Sequence, residues 1–532
     1  MQLPETVNAC FGNSEGFDST LNCLFGLLAD KAEATLLYGV PFDTVAADGT
    51  VSTHHLTLLV AWLAFAGVFF TLYFSFVNFR MFKHAVDIVR GKFDEPGADG
   101  QINNFQALAA SLAGTVGLGN IAGVAVAISA GGPGAVIWMS IMGLFGMSSK
   151  FTEVVAGVKY RVHSDAEHKD TISGGPMYYL KEAFAKHNQH RFGMLVACLF
   201  AIACIAGSLA GGNMFQANQA YSIALNVTGG ETSFLNDYGW AFGIGLAILT
   251  GLVIIGGIKS IAKISSTLVP LMAVVYIVTC LIIMGKEYAN IPAAFATIWA
   301  SAFTLKAGVG GLIGAILVGV QRASFSNEAG LGSASIVHAT AQTAYPIRQG
   351  FVAMLGPVID TVVICNITAL TIVITGVYQD SQGVEGVKLT MRAFQEGADW
   401  FPYILALSVF LFAYSTLIGW YYYGEKAAGF LFGDKATVRS VFKIIFLLTI
   451  VVGASAELSN VVRFSDAMFL SMGIPNIIGL YLLAPEIKKD LDANMRKFFP
   501  KTKPPVAKTP APSAPVVKET VKEAEKAPAA KP

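Results

Sequence analysis

The sequence predicts an all-α integral membrane protein with eleven transmembrane helices, and three observations support this fold class. Of the 532 residues, 54% are hydrophobic and only 13% are charged. Apolar runs long enough to cross about 30 Å of hydrocarbon occur eleven times. Two of these runs are interrupted by glycine and polar residues at corresponding places. The formal net charge of +1 gives no reason to expect a nucleic-acid partner, so membrane lipid is the expected surrounding.

The distribution of basic residues orients the predicted spans. Their approximate bounds are 56–82, 104–130, 134–160, 192–226, 240–258, 264–285, 308–338, 348–377, 402–432, 440–456 and 460–484. Lys and Arg are retained on the cytoplasmic side of membranes. When each connection is counted with its flanking span ends, 28 of the 36 basic residues fall on one side and five on the other, while three lie within spans. The N-terminus is therefore predicted to lie outside, and the C-terminus in the cytosol, of a protein of the cytoplasmic (inner) membrane.

The two ends of the chain differ from the spans. Residues 1–55 form an extracytoplasmic segment without the basic start and cleavage site of a signal peptide, so span 1 (56–82) is expected to remain as an extra helix. Cys10 and Cys23 in this segment form a disulfide in an oxidising compartment or remain free. Residues 500–532, rich in Lys, Pro, Ala and Glu, are predicted to be a disordered cytoplasmic tail.

Span 2 contains the first interruption. Residues 112–120 read LAGTVGLGN in the middle of an apolar segment. A glycine inside a helix costs about 1 kcal/mol, and an unpaired backbone group in the bilayer costs several. Irregular backbone at this depth is tolerated where it lines a cavity inside the protein, and transporters place their binding sites at such breaks.

Span 7 contains the second interruption and reveals a repeat. Residues 320–333 read VQRASFSNEAGLGS, and the Gly-Leu-Gly of residues 117–119 returns at 330–332. Without span 1, residues 104–285 and 308–484 each contain five spans. Because five is odd, the two sets run through the membrane in opposite directions. The sequence therefore predicts a five-plus-five inverted repeat with broken first and sixth core helices, which is typical of secondary transporters.

The broken helices offer the groups that a zwitterionic amino acid needs. The half-helix that begins near Gly119 presents N–H groups and a positive dipole end, which suit a carboxylate. The half-helix that ends at residues 113–116 presents carbonyl oxygens, which suit Na⁺ or an ammonium group. The candidate substrate-binding residues are Thr115, Gly117, Gly119, Asn120, Gln216, Ser324, Phe325, Ser326 and Trp420. Thr115 and Asn120 are open to a second interpretation, ordinary hydrogen bonding between helices.

Polar residues in span 4 leave two interpretations open. Asn213 and Gln216 are spaced i, i+3 and are expected on one helix face, with Gln216 as a substrate contact. The alternative is that the outer end of span 4 emerges into water near this point. Phe325 and Trp420 are candidates for closing the pocket around a small substrate, although most aromatic residues in membranes serve packing or the interface.

Ionisable residues within spans are candidates for function. Lys150 and Glu153 are spaced i, i+3 and are expected to neutralise each other. Arg322 and Glu328 flank the break in span 7 and form a possible gate. Asp360 is predicted either to carry a proton or to pair with Arg322 or Arg348.

Several motifs resemble the alanine or glycine:cation symporter family. They are NFQAL (104–108), VGLGNIAG (116–123), GGPGAVIWM (131–139), FGM (145–147), KFTE (150–153), SGGPMYYL (173–180) and FSNEAGLGSA (325–334). The resemblance covers residues 56–490 and implies a fold of the leucine-transporter type and sodium-driven uptake of alanine or glycine. The family commonly has Phe-Trp-Met-Trp where this chain has IWMS at 137–140, a departure in a helix that is expected to serve packing.

The resemblance also implies a sodium site. In transporters of this type, carbonyls of the first core helix and an adjacent Ser/Thr pair on the eighth hold one Na⁺. Here Ala113 and Val116 would supply the carbonyls, and Ser415 and Thr416 in span 9 the hydroxyls, with the Phe412 carbonyl as a further ligand. By its own spacing, a Ser-Thr pair also bonds back to its helix. No cofactor besides the coupling ion is expected.

Four hypotheses for function follow. The first is a sodium-coupled symporter of alanine or glycine that works by alternating access. A proton-coupled amino-acid permease is the nearer rival. A membrane-embedded hydrolase using Glu153, His338 or Asp360 is a rival from another class, but the sequence has neither His-Glu-x-x-His nor Gly-x-Ser-x-Gly. A channel is the fourth, and paired broken helices favour an occluded site over an open pore.

Overall fold

The computed structural model describes residues 17–45, 51–95, 97–163, 172–303, 308–379 and 386–498 of the chain. Two compact units result, residues 1–488 and 489–532, and the described part of the second is the helical stretch 489–498. The predicted disordered tail and Cys10 lie outside the described residues, whereas Cys23 is disulfide-bonded.

Helices dominate the described residues. They are α1 (Phe17–Leu36), α2 (Leu58–Tyr73), α3 (Val77–Arg80), α4 (Phe82–Val89), α5 (Asn104–Thr115), α6 (Ala122–Gly131), α7 (Ala135–Lys159), α8 (Pro176–Ala185), α9 (His190–Leu209), α10 (Phe215–Val227), α11 (Gly239–Ile254), α12 (Gly257–Lys286), α13 (Ile291–Phe303), α14 (Gly308–Asn327), α15 (Ser333–His338), α16 (Pro346–Ala353), α17 (Asn366–Ile374), α18 (Val387–Gly397), α19 (Phe401–Phe432), α20 (Ala436–Ser455), α21 (Leu458–Ser471) and α22 (Gly473–Phe498). Two segments are π-helical. Ala210–Met214 joins α9 to α10, and Val358–Cys365 directly precedes α17.

Two short antiparallel hairpins depart from the predicted all-α fold. Strand β1 (Gly39–Val45) pairs with β2 (Val51–Thr57), with Gly39 opposite Thr57 and Val45 opposite Val51. Strand β3 (Val162–His163) pairs with β4 (Ile172–Ser173). Both lie in connections outside the apolar helices. The first contains the β-branched stretch VSTHHLT, which favours a pleated strand over a helix.

Among the described residues, six helices are long and apolar enough to cross a membrane. A bent pair, Asn104–Thr115 with Leu118–Gly131, makes a seventh. Predicted spans 1 and 5 coincide with the shorter apolar helices α2 and α11, of 16 residues each. Predicted span 3 coincides with α7, and predicted span 7 with α14 and α15. The protein is thus a mostly helical membrane protein, and its described residues contain six or seven candidate spanning helices.

Both predicted interruptions occur as breaks in the structure. Helix α5 begins with a capping box, in which Asn103 accepts from the Gln106 N–H at 2.8 Å. It ends at Thr115, and after a 3-10 turn at Leu118–Asn120 the chain continues as α6 at an angle of 62° to α5. Helix α14 ends at Asn327, and Glu328, Gly330 and Gly332 adopt positive φ angles of 55°, 85° and 86° before α15 begins. Both breaks are buried in the helical core, where α7 packs against α14, α15 and α16.

Candidate binding site at the helix breaks

The break after α5 removes the regular hydrogen-bond donors from two carbonyls. In a continuous helix, the N–H groups of Gly117 and Asn120 would donate to the carbonyls of Ala113 and Val116. Instead, the Gly117 N–H donates to Thr115 O at 2.9 Å and to Asn120 Oδ1 at 3.2 Å, and the Asn120 N–H donates to Gly117 O at 3.1 Å. Both carbonyls that were expected to bind Na⁺ therefore lose their helical partners.

The hydroxyl pair of span 9 lies beside this break. Thr416 Oγ1 is buried and has no hydrogen-bond partner among the described residues. A Cβ atom built on Gly117 would lie only 2.3 Å from it, so the hydroxyl approaches the backbone of the break because residue 117 is glycine. Ser415 Oγ donates back to the Phe412 carbonyl at 2.9 Å and keeps lone pairs available for a cation.

Gln216 contacts the break from span 4. Its Oε1 accepts from the Leu118 N–H at 3.2 Å, and its Nε2 donates to Gly211 O at 2.9 Å. Asn213 does not share this role, because its Nδ2 donates to the Phe446 carbonyl in α20 at 2.7 Å. The wide turn of the π segment Ala210–Met214 changes the phase of the helix, which explains why the expected i, i+3 face is not kept.

Asn120 joins both broken helices to the π segment Val358–Cys365 and to α17. Its Nδ2 donates to Ser326 Oγ at 3.1 Å and to Asp360 O at 3.0 Å. The Thr368 hydroxyl donates to the Asn120 carbonyl at 2.9 Å. Thr115 and Ser324 are also buried at the breaks, but their hydroxyls donate to carbonyls of their own helices, at 3.4 Å and 2.9 Å.

A cluster of buried aromatic rings borders the breaks. A Cβ atom on Gly119 would lie 3.2 Å from the ring of Phe325. Phe325 contacts Phe215 and Phe469, with ring centroids 5.4 Å and 5.0 Å apart. Phe469 stacks on Trp420 at 4.4 Å, and Trp420 is fully buried. Phe325 and Trp420, which were predicted to close the pocket, thus lie in one cluster with two rings that the sequence did not single out, Phe215 and Phe469.

Trp420 and Glu328 connect the two breaks. The indole Nε1 donates to Gly114 O in the first broken helix at 3.2 Å and to Glu328 Oε1 in the second break at 3.0 Å. The other carboxylate oxygen of Glu328 accepts from Ser333 Oγ at 2.5 Å. The Trp420 side chain thus bonds to both breaks and bridges α5 and the segment after α14.

Arg322 and Glu328, the predicted gate residues, do not pair with each other. Arg322 donates to Asp466 of α21, and Gln321 donates to the same carboxylate at 3.1 Å. The Glu328 carboxylate accepts hydrogen bonds from Trp420 and Ser333 instead, and among the described residues it forms no ion pair with Arg322. Asp466 was missed, although an acidic residue within an apolar span is itself a functional signal.

Lys150 and Glu153 form the predicted ion pair, with Nζ and Oε1 3.5 Å apart, and both are buried. Glu153 has a second role that its spacing did not indicate. Its Oε2 accepts the N–H groups of Gly330 and Gly332 at 3.1 Å and 3.0 Å. Lys150 donates to the carbonyl of Glu328 at 3.3 Å. The pair therefore satisfies backbone groups that the second break leaves without helical partners.

The predicted pairing of Asp360 with Arg322 or Arg348 is wrong. Arg322 pairs with Asp466, and Arg348 pairs with Glu95 at 2.7 Å. Asp360 is fully buried, and its Oδ1 accepts from the Thr361 hydroxyl at 2.5 Å. Its Oδ2 has no hydrogen-bond partner within the described part of the chain.

Comparisons with known proteins identify the family of the chain. The model of the family described as "Sodium:alanine symporter family" matches residues 44–508. The chain is 40% identical to the sodium/alanine symporter AgcS of Methanococcus maripaludis over 431 residues, 80% of this chain and 92% of that protein. It is 34% identical to "Probable sodium/glutamine symporter GlnT" of Bacillus subtilis over 80% of this chain and 85% of that protein. "Amino-acid carrier protein AlsT" of the same organism is 34% identical, over 79% and 84%.

A solved structure is similar in fold. The crystal structure of MhsT in complex with L-phenylalanine aligns with a TM-score of 0.50, covering 75% of this chain and 99% of that one at 14% identity. The fold is therefore of the leucine-transporter type. The relatives are transporters rather than enzymes. By the family match over most of its length, together with these relatives, the chain is a member of the sodium:alanine symporter family.

Proposed function

We propose that the protein couples the entry of Na⁺ to the uptake of a small neutral amino acid, alanine or glycine, by alternating access around the two helix breaks. The observation that carries this proposal is the Thr416 hydroxyl. It is buried without a hydrogen-bond partner in the described structure and lies against the break that frees the Ala113 and Val116 carbonyls. A buried unpaired oxygen is costly unless a ligand completes it.

The proposed sodium ligands are the carbonyls of Ala113 and Val116, the hydroxyls of Ser415 and Thr416, and the Phe412 carbonyl. All are hard oxygen atoms, which alkali cations prefer, and none carries a charge. Because no ligand carries a charge, the site forms no ion pair with the cation, which suits a monovalent ion that has to be released again. The names of two relatives, sodium symporters for alanine and for glutamine, support the choice of ion.

The proposed substrate lies between Gly117–Asn120 and the serines of the second break, with Gln216 as a further polar contact. The ring cluster supports a small side chain, because Phe325 already lies against Gly119 and Trp420 is fixed by two hydrogen bonds. The relatives carry different amino acids, so the size of this pocket is the proposed determinant of alanine or glycine uptake.

The proposed architecture has eleven spans. Residues 1–55 are outside, 56–82 form the extra helix, 104–285 and 308–484 are the two inverted repeats, and 500–532 form the cytoplasmic tail. Because span 7 then enters from the outside, Arg322 and Asp466 lie on the outer side of its break and serve as the outer gate. The excess of basic residues in one set of connections supports this orientation in the inner membrane.

Uptake of radiolabelled alanine into proteoliposomes tests the proposal. We expect uptake above equilibrium under an inward Na⁺ gradient, and competition by unlabelled glycine. Phenylalanine is the negative control, because Phe325, Phe469 and Trp420 already pack together beside Gly119 and the proposal expects a small side chain there. Uptake that ignores Na⁺ and follows a pH gradient would replace sodium coupling by proton coupling.

Proton coupling is the second candidate, and Asp360 is the observation that favours it. This residue is fully buried, and its backbone carbonyl accepts from Asn120 Nδ2 at 3.0 Å. Within the described residues its carboxyl group accepts from the Thr361 hydroxyl and forms no ion pair. A buried carboxylate without a cation is costly, so it binds a proton or another cation. Asp360→Asn keeps the hydrogen bond from Thr361. If a proton on Asp360 drives transport, this variant loses uptake under a pH gradient; if Na⁺ alone drives transport, uptake at saturating Na⁺ is retained.

A further inference from the structure

We propose that α1 is a brace on the outer face of the protein, in which Asp30 and Arg463 are positioning residues for the outer gate. Helix α1 ends at Leu36, before residue 44, where the family match begins. It is therefore an addition to the part of the chain that carries the family fold. The inference rests on the proposed function, because it concerns the gate between Arg322 and Asp466.

Helix α1 packs on α21 through charged and apolar contacts. Arg463 forms an ion pair with Asp30 and lies 3.8 Å from Glu33. The ring of Phe25 meets the ring of Phe464 edge to face at 5.2 Å. Ala29 is fully buried in this contact region. The helix is thus seated on α21 over about two turns.

The backbone of α1 also comes close to α21. A Cβ atom on Gly26 would lie 3.2 Å from the amide of Asn460, and Arg463 donates to the oxygen of the same amide at 2.6 Å. These contacts fix the register of α1 along α21.

The gate residue Asp466 lies next to the surface of α21 that contacts α1. Asn460, Arg463 and Phe464 follow i, i+3, i+4 spacing and face α1. Asp466 follows Arg463 at i+3, one turn further along and about 60° around the helix, and contacts Arg322. Phe469 lies on the side of the helix opposite Asn460 and contacts Trp420. One helix of 14 residues therefore joins the outer brace to the gate and to the ring cluster.

A second connection reaches the other gate helix. Hairpin β1–β2 follows α1 directly and packs against α14, which carries Gln321 and Arg322. The extracytoplasmic segment thus contacts both helices that form the gate. Opening the gate requires Arg322 and Asp466 to separate, and the brace opposes that separation.

The ion pair between Asp30 and Arg463 positions α1 on α21 but contributes little to the stability of this contact. The side chains of Asp30 and Arg463 are 57% and 38% exposed, and exposed ion pairs are weak. Reversal of one charge places two like charges in contact and favours displacement of α1 from α21. The gate is then expected to open to the outside more often.

Cys365 is a native reporter of this opening. Its thiol is 1% exposed and lies 3.3 Å from Ser326 Oγ, at the proposed substrate site. The experiment measures the rate at which a membrane-impermeant maleimide, added outside, labels Cys365 in the full-length Cys198→Ser protein in right-side-out vesicles. The same protein with Cys365→Ser gives the background.

We expect Asp30→Arg and Arg463→Asp each to raise the labelling rate about two- to fivefold, the range that an exposed ion pair supports. The double swap, Asp30→Arg with Arg463→Asp, is expected to restore the original rate. Glu231→Arg, a charge reversal at an exposed turn away from α1, is the matched control and leaves labelling unchanged.

Labelling of both single variants at the original rate would overturn the brace, and so would a double swap that labels as fast as the singles. Alanine uptake by the unmodified protein is measured in the same vesicles. Absence of sodium-dependent uptake there refutes the proposed function, while the response of Cys365 to the charge reversals still decides whether α1 controls access.

Discussion

At the scale of single residues, glycines at the first break decide which side chains reach the backbone. Gly117 admits the Thr416 hydroxyl and Gly119 admits the Phe325 ring. The Thr416 hydroxyl lies near the end of α5, where carbonyls are exposed, and the Phe325 ring lies near the turn that leads into α6. The proposed cation site and the proposed substrate site are therefore next to two glycines that are only two positions apart.

Removal of the Thr416 hydroxyl tests the cation site. We expect Thr416→Ala to raise the Na⁺ concentration for half-maximal uptake about tenfold, since one lost ligand interaction is worth about 1–2 kcal/mol. Alanine affinity at saturating Na⁺ should change far less. Thr416→Ser keeps a hydroxyl and should behave like the unmodified protein.

The matched control for this variant is Ser408→Ala. Ser408 is equally buried and lies on the same helix as Thr416, but its hydroxyl donates to the Ile404 carbonyl of its own helix. Its loss should leave the Na⁺ dependence unchanged. An equal Na⁺ shift in both variants would show that the effect comes from packing and not from a ligand.

Filling the space at Gly119 tests the substrate site. Gly119→Val adds a branched side chain whose first atom already lies 3.2 Å from Phe325, so it occupies the volume proposed for the substrate. We expect alanine binding, measured by equilibrium dialysis, to be abolished. Gly123→Val is the control, because the nearest atom to its Cβ lies 4.0 Å away. Normal transport by Gly119→Val would mean that the site has been placed wrongly.

At the scale of elements, the second break is held open by charges from α7. Glu153 accepts two backbone N–H groups of the break, and Lys150 donates to a carbonyl of the break. Loss of one partner from a buried ion pair leaves an uncompensated charge and costs roughly 3–5 kcal/mol. The break therefore depends on both residues together.

A double-mutant cycle tests this dependence. We expect Lys150→Met and Glu153→Gln each to lower the thermal melting temperature of the detergent-purified protein strongly. The double variant should be more stable than the sum of the single effects predicts, because neither charge is left alone. Additive losses would indicate that the two residues act separately on the break.

Arg161 joins the segment that precedes α5 to the segment that follows α15. Its guanidinium donates to Ala339 O at 3.1 Å, beyond α15, and to Asp99 Oδ2 at 3.0 Å, before α5. Ile102 and Ala341 form an isolated parallel bridge at the same place. These contacts connect the two segments directly.

The pH dependence of this contact follows from Asp99. Partial burial acts to raise the pKa of Asp99, but hydrogen bonds and charges from His163 and Arg161 outweigh it and lower the pKa below its ordinary value. Its stabilising contribution is present above pH 3.8 and is lost as the pH falls through the lowered value. We expect the difference in melting temperature between the unmodified protein and Asp99→Asn to shrink as the pH falls from about 5 to about 3. A difference that grows over this interval would contradict the assignment.

At the scale of the whole molecule, the sequence predicts the positions of both breaks because glycines and polar residues stand out in apolar segments. It also predicts the Lys150–Glu153 pair, since i, i+3 spacing brings the two side chains together on any helix. Asp466 and Phe469 join the site through the packing of α21 against α14 and α19, and no local pattern encodes that packing. The π segment at Ala210–Met214 separates Asn213 from Gln216, and the hairpins lie in connections that hydropathy does not resolve.

Coupling between the two proposed sites is the property on which the whole account depends. If Na⁺ and alanine bind together at the first break, each must raise the affinity for the other by the same factor. Binding of radiolabelled alanine to the purified protein, measured against Na⁺ concentration in the unmodified protein and in Thr416→Ala, tests this most directly. We predict that alanine affinity rises with Na⁺ and that Thr416→Ala shifts this rise to higher Na⁺; alanine affinity that is the same with and without Na⁺ would contradict the account.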